Sequence, residues 1–129
     1  MIPKFRAWDR ETKEMFKDTF AITESGQVIV VEQESVGSPP DYVFVEHLVI
    51  MQSTGLKDKN GKEIFEGDIL HHQIQTEYTF IVKYDEDNAR WYGDGLSRTY
   101  RIDLVKHFMQ YYKVIGNIYE NPELLEVTE

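Results

Sequence analysis

The sequence predicts a mainly-β domain with a coiled or barrel-like sheet and one or two short helices. Three observations predict it. Eight or so short runs are rich in β-branched and aromatic residues, drawing on two Trp, eight Tyr and seven Phe. Most of these runs are separated by Gly or Asn turns, the spacing of an all-β chain. At Glu66-Gly67-Asp68 a glycine stands where the chain must bend, and Ile69 and Leu70 then begin a new apolar run. A turn, a Gly-Asp step and an apolar strand are typical of small curled barrels, where glycine permits a corner.

The elements follow in order. Residues 2–8 alternate loosely (Ile2, Phe5, Ala7, Trp8) and read as a first strand. After the polar turn Asp9–Lys13, Met15 to Ile22 reads as a second strand. Glu24-Ser25-Gly26 is a turn signal, and Gln27 to Glu32 is β-branched, so these two strands form a hairpin. Residues 34–41 contain adjacent prolines, which cannot donate to a ladder, and form a semi-rigid loop open to variation. Tyr42-Val43-Phe44-Val45 is too apolar and β-branched for a surface loop. His47 to Gln52 fits either an extended strand or the start of a short helix, and the strand is favoured.

Asp58-Lys59-Asn60-Gly61 is a turn, because Asn and Gly tolerate the positive φ that two-residue hairpin loops need. Asp58 can accept a backbone hydrogen bond from two residues on. Tyr78 to Tyr84 is a strong strand, Asp85 to Asn88 its turn, and Ala89 to Tyr92 the return. Gly93-Asp94-Gly95 is read as another corner. Leu104 to Tyr111 has the apolar spacing of a helical turn, with Asp103 as its N-cap. Tyr112 to Tyr119 is the closing strand. Asn121-Pro122-Glu123-Leu124-Leu125 is a short helix, with Asn at the cap and Pro in the first helical position.

The 129 residues allow one domain with one core. Hydrophobic residues at 41% and charged residues at 29% give a soluble globular balance. There is no cysteine, which removes a disulfide framework and any thiolate metal site and fits a reducing cytoplasm. The residues from Met1 to Arg6 contain no apolar core of a signal peptide. The longest apolar runs, such as Ile29-Val30-Val31, are too short to cross a bilayer.

Net charge is −9 and unevenly placed. Residues 1–17 carry Lys4, Arg6, Arg10, Lys13 and Lys17; residues 18–56 contain no Lys or Arg but six acids, Asp18, Glu24, Glu32, Glu34, Asp41 and Glu46. An anionic surface repels phosphate backbones and disfavours duplex DNA. It confers solubility, and it also suits a basic partner.

Three segments carry a family resemblance. They are Lys4-Phe5-Arg6-Ala7-Trp8-Asp9; Met51-Gln52-Ser53-Thr54-Gly55-Leu56 running through Asp58-Lys59-Asn60-Gly61 to Glu66-Gly67-Asp68-Ile69; and Val114 to Leu125. Together and in this order they resemble the YopX family of small phage and prophage proteins, over the whole chain. The resemblance implies one domain over residues 1–129, with an N-terminal β part about 1–50 and a small SH3-like, barrel-like part about 51–129. It implies a phage or prophage source and a bacterial cytoplasmic setting. It brings no catalytic residue, because the family has no assigned activity. The motif residues Gly55, Asp58, Asn60, Gly61, Gly67, Asp68, Gly116, Asn117, Asn121 and Pro122 are read as structural turn residues.

Asp58 to Asp68 has the flavour of a calcium loop, but the glycine falls at the fourth position and Ile69 occupies the twelfth, where a Glu is needed. His71 and His72 are neighbours in a strand and point to opposite faces; with His47 and His107 they make no ligand spacing. The expectation there is one partly buried and one solvated imidazole. There is no nucleophile elbow, phosphate-binding loop or dinucleotide fingerprint, so no catalytic residue, cofactor or metal is assigned. Asp85, Glu86 and Asp87 are expected to be solvated turn residues.

One segment looks like a binding surface. Arg90, Trp91 and Tyr92, with Arg98, Tyr100 and Arg101, interleave aromatics and arginines in the manner of single-strand stacking platforms. The competing account puts Trp91 in the core and Tyr92 in a cross-strand pair, with the arginines solvated. The expected function is a phage- or prophage-encoded, non-enzymatic protein-interaction module, with an unidentified protein partner and self-association through exposed strand edges. The alternatives are a single-stranded nucleic-acid binder and an enzyme with an unrecognised carboxylate site. No membrane association is expected.

Overall fold

The computed structural model describes residues 4–17, 20–32, 37–39, 41–45, 47–75, 78–96 and 101–125. Among these residues are twelve short β-strands and two 3₁₀ turns, so the chain is mainly β as its composition dictates. Of the proline loop expected at 34–41, residues 34–36 and 40 lie outside the described residues. The chain divides into two compact units, Phe5–Met51 and the combination of Met1–Lys4 with Gln52–Glu129.

In the Phe5–Met51 unit, β1 (Phe5–Asp9) and β2 (Glu14–Phe16) form an antiparallel hairpin with Trp8 opposite Met15. Asp9 Oδ1 closes its turn by accepting the backbone N–H groups of Glu11 and Thr12 at 2.9 and 3.2 Å. The single strand expected from Met15 to Ile22 is instead two strands in different sheets. β2 ends at Phe16, and β3 (Phe20–Ile22) pairs with β4 (Val28–Glu32). β5 (Asp41–Val45) completes a three-stranded sheet of order β3-β4-β5. β6 (Leu48–Lys57) begins in this unit, so the 47–52 stretch is strand from Leu48 onward, not helix. Ala7, Trp8 and Met51 are buried.

In the second unit, the rest of β6 pairs with β7 (Glu63–Phe65), with Ser53 opposite Phe65 and Lys57 opposite Glu63. The ladder is irregular between those pairs. There Gly55 has φ +80°, and the Thr54 hydroxyl replaces ladder bonds by donating to the Ile64 carbonyl at 2.8 Å and accepting the Leu56 N–H at 3.0 Å. The hairpin loop is not the two-residue turn expected from Asn60-Gly61. It spans Asp58 to Lys62, closed by Asp58 N–H to the Lys62 carbonyl at 2.9 Å, with Gly61 at φ +81°.

β8 (Asp68–His72), β9 (Thr79–Asp85), β10 (Arg90–Gly95), β11 (Arg101–Asp103) and β12 (Tyr112–Asn117) form an antiparallel sheet of order β11-β10-β9-β8-β12 that curls into a half-barrel. Ile64, Leu70, Phe80, Val82, Leu104, Met109, Tyr112 and Val114 form one buried cluster. Gly93 is not at a corner but inside β10. A Cβ there would come within 2.9 Å of Phe80 Cβ, so its role is close packing on the core.

Of the two helix expectations, the first shortens and the second holds except for the role of its Asn side chain. Residues 104–111 contain a 3₁₀ turn only at Met109–Tyr111, and Asp103 ends β11 without capping it. Pro122–Leu125 is the second 3₁₀ turn, but the Asn121 side chain turns back to accept the Asn117 N–H at 3.2 Å.

Candidate functional site

Alternation along β9, β10 and β11 sorts the Arg–Trp–Tyr segment onto two faces. Trp91 faces inward, packs against the core and meets its cross-strand partner Tyr84 edge-on, with ring centroids 4.9 Å apart. Tyr92 lies on the other face with Arg90, and the Arg101 guanidinium sits 3.6 Å from the centre of its ring. Every described cation on this face has a carboxylate. Lys83 reaches Asp94 at 2.6 Å, Arg90 reaches Asp103 at 3.2 Å, and Arg101 reaches Asp85 at 2.9 Å. Arg98 and Tyr100 lie outside the described residues.

Asp85 is no solvated turn residue. Its side chain is only 11% exposed, and it accepts the Asn88 side-chain amide, the Arg101 guanidinium and the backbone N–H groups of Asn88 and Asp87. These bonds, the Asn88 amide foremost, outweigh the effect of burial and hold its carboxyl below the ordinary aspartate value. A base stacking on Tyr92 would have to displace Arg101 from both ring and carboxylate. Trp91 packs on the core as the competing account expects, while Tyr92 lies under Arg101 and the described arginines are ion-paired rather than simply solvated.

The motif residues converge on backbone bonding. Asp58 is buried, and its Oδ1 accepts the N–H groups of Asn60 and Lys62, both at 2.9 Å, while Oδ2 accepts that of Val114 at 2.9 Å. Asp68 is 1% exposed, and its Oδ2 accepts the Phe65 N–H at 2.8 Å. Gly67 at φ +86° donates to the Val82 carbonyl and accepts from the Ile118 N–H, both at 2.9 Å. Asn117 Oδ1 accepts the N–H groups of Tyr119 and Glu120. Gly116 leaves room for Asn121, whose Oδ1 would lie 2.5 Å from an added Cβ. Pro122 opens the second 3₁₀ turn. These carboxylates and amides tie strands together.

The histidines also serve structure. His71 and His72 are both half-buried, where one partly buried and one solvated imidazole were expected. His71 Nδ1 lies 3.0 Å from Thr79 Oγ1. His72 Nδ1 accepts the N–H groups of Ile74 and Gln75, which places its proton on Nε2, and its ring stacks on Tyr111 and meets Tyr112 edge-on. His107 lies edge-on to Phe108. Among the described residues no group of three or more His, Asp or Glu side chains is placed to hold a metal.

His47 Nε2 meets Asp9 Oδ1 at 3.1 Å beside a cavity of about 620 Å³ lined also by Glu14, Phe16, Val30, Val43 and Phe44. Burial pushes Asp9 up, but hydrogen bonds from the Thr12 and Glu11 backbone, the Thr12 hydroxyl and His47 prevail and hold it below the ordinary value. It is a turn-capping anion, and the Thr12 hydroxyl is engaged with it. In the second unit, burial and the charge of Glu86 raise Glu66 above its ordinary value, against the Gln52 backbone N–H.

Sequence reasoning missed two surfaces. β5 is an edge strand of its sheet, yet Val43 and Phe44 on its opposite faces are 40% and 64% exposed. A second cavity of about 330 Å³, lined by Val28, Phe44, Val45, Leu48 and Ile50, adjoins it. An apolar tetrapeptide signals a strand but not whether anything covers it. In the second unit, Lys57, Lys59 and Lys106 line one cleft. Lys106 is distant in sequence from the other two, so no local pattern announces it.

The YopX protein family matches residues 4–126. The chain belongs to the YopX family. Among solved structures, protein EF1440 from Enterococcus faecalis is 36% identical, with 98% of this chain and 99% of that chain covered and a TM-score of 0.68. Protein yopX from Bacillus subtilis is 20% identical over 98% of each chain, with a TM-score of 0.60, and shares the fold. No curated protein matches. In this chain the motif residues Asp58, Gly67, Asp68, Asn117 and Asn121 bond to backbone groups, with Asp58 reaching β12 and Gly67 reaching β9. Among the described residues no helix is long and apolar enough to cross a membrane.

Proposed function

We propose that this YopX-family chain is a non-enzymatic protein-interaction module, encoded by a phage or prophage and acting in the bacterial cytoplasm. The observation that carries this is the β5 edge. Phe44 and Val43 are exposed on opposite faces of a strand paired on one side within its sheet, with one largely apolar and one mixed polar and apolar cavity alongside. Such an edge, unpaired among the described residues, offers backbone groups beside pockets with apolar walls, the two elements of strand addition by another polypeptide. A second copy of the chain and a host or phage protein are both occupants of this kind. The paired charges around Tyr92 and the engaged carboxylate of Asp9 weigh against the nucleic-acid and enzyme alternatives.

The test is affinity capture from nuclease-treated bacterial lysate with the wild-type chain and a Phe44→Glu variant. Discrete proteins or a second copy retained by wild type and lost by the variant support the proposal. Equal retention by both contradicts it, as does retention that disappears with nuclease.

A further inference from the structure

We infer that the cleft bounded by Lys57, Lys59 and Lys106 binds a small phosphorylated ligand. The cleft has a volume of about 450 Å³ and is lined by Gly55, Leu56, Lys57, Asp58, Lys59, Lys106 and Gln110, within the size range of small-molecule sites. Lys57 ends β6, Lys59 lies in the Asp58–Lys62 loop, and Lys106 and Gln110 come from the segment before β12. The same folded unit thus brings Lys106 to the cleft that Lys57 and Lys59 line, from a segment far away in sequence.

The charge balance sets this place apart. The chain has 23 acids against 14 bases, yet three of those bases line one cleft. None of the three is in an ion pair among the described residues, whereas Lys83, Arg90 and Arg101 all are. The lining carboxylate, Asp58, spends its oxygens on the N–H groups of Asn60, Lys62 and Val114. Glu63, opposite Lys57 in the ladder, is held by Lys4 at 3.4 Å. Three lysines against the one carboxylate of Asp58 leave the lining net positive on a protein that is negative overall.

The side-chain chemistry favours phosphate over a lone carboxylate. Lysine ammoniums act as point charges suited to the dispersed charge of a phosphate or diphosphate, while the bidentate fork that matches a carboxylate belongs to arginine, which is absent here. Gln110 adds an amide donor. Leu56 gives an apolar wall for the body that carries the phosphate. The loop backbone is fixed by Asp58 and by the Lys59 N–H to the Tyr112 carbonyl at 2.9 Å, so the lysines project from a framed support.

The test uses the full chain in low-salt buffer. Inorganic pyrophosphate and a nucleoside triphosphate are titrated by calorimetry, with citrate as a tricarboxylate control. The variants are Lys59→Gln/Lys106→Gln and, as a control outside the cleft, Lys113→Gln. The expected result is saturable binding of pyrophosphate that weakens about tenfold or more in the double variant, the loss of charge-assisted contacts, and is kept by Lys113→Gln. Thermal melting of the unliganded variants checks that they fold. No saturable binding, or binding the double variant retains, overturns the site. Citrate binding as tightly as pyrophosphate overturns the phosphate assignment.

Discussion

The carboxylate of Asp58 accepts the backbone N–H of Val114 at 2.9 Å, joining two residues 56 positions apart. The same side chain also closes its own loop onto Asn60 and Lys62. One buried group thereby sets both the β6–β7 loop and its attachment to β12.

Replacing Asp58 by Ala leaves three N–H groups without their acceptor, and the one from Val114 is buried. Stability should fall by about 2–4 kcal/mol, since each unsatisfied buried donor costs roughly 1–3 kcal/mol. Asp58→Asn keeps one acceptor oxygen and should cost less. Urea unfolding of the two variants checks the order.

Gly116→Ala should destabilise by about 1–3 kcal/mol, because the new methyl collides with the Asn121 side chain. The collision is specific. In an Asn121→Gly background the further cost of Gly116→Ala should shrink, and a double-mutant cycle reads that coupling.

Stability should be acid-labile for identified reasons. Asp9 and Asp85 have folded values below ordinary. Their contribution is complete above the unfolded value, about 3.9, and is lost as pH falls through the folded values. Glu66 has the opposite sign: its folded value is raised. Its penalty sets in as pH rises past the unfolded value, about 4.3, and is complete above the folded value. Melting curves across pH should show Asp85→Asn flattening the acid limb, and Glu66→Gln raising the melting temperature at pH 7 but not below pH of about 4.

His72→Phe should preserve the ring packing against Tyr111 while removing the Nδ1 acceptor for Ile74 and Gln75. Those two amides should exchange faster with solvent, with a modest stability loss of about 0.5–1.5 kcal/mol. Hydrogen exchange read at single amides checks it.

The strands from Tyr78 to Tyr92 and from Tyr112 onward were legible because β-branched and aromatic runs bounded by turn residues have few other solutions. The break between Phe16 and Phe20 was not: Met15 to Ile22 alternates well enough for one strand, and only sheet pairing divides it. Gly93 reads locally as a corner because glycine is the common corner residue, whereas its cause is Phe80 on the neighbouring strand. The cap expected of Asp103 failed because Asp103 belongs to β11 and the 3₁₀ turn begins only at Met109. Exposure of Phe44 and convergence of Lys57, Lys59 and Lys106 are tertiary facts with no local signature.

Self-association through β5 should appear as a mass that rises with concentration in light scattering, and Phe44→Glu should return the chain to monomer. The most direct measurement places a photoreactive benzoylphenylalanine at position 44 in the bacterial host, with the same group at Phe108, exposed to 52%, as the control. The proposed role of the β5 edge predicts a discrete covalent adduct with a polypeptide at position 44 and none at position 108. No adduct at position 44, or the same adducts at both, would contradict it.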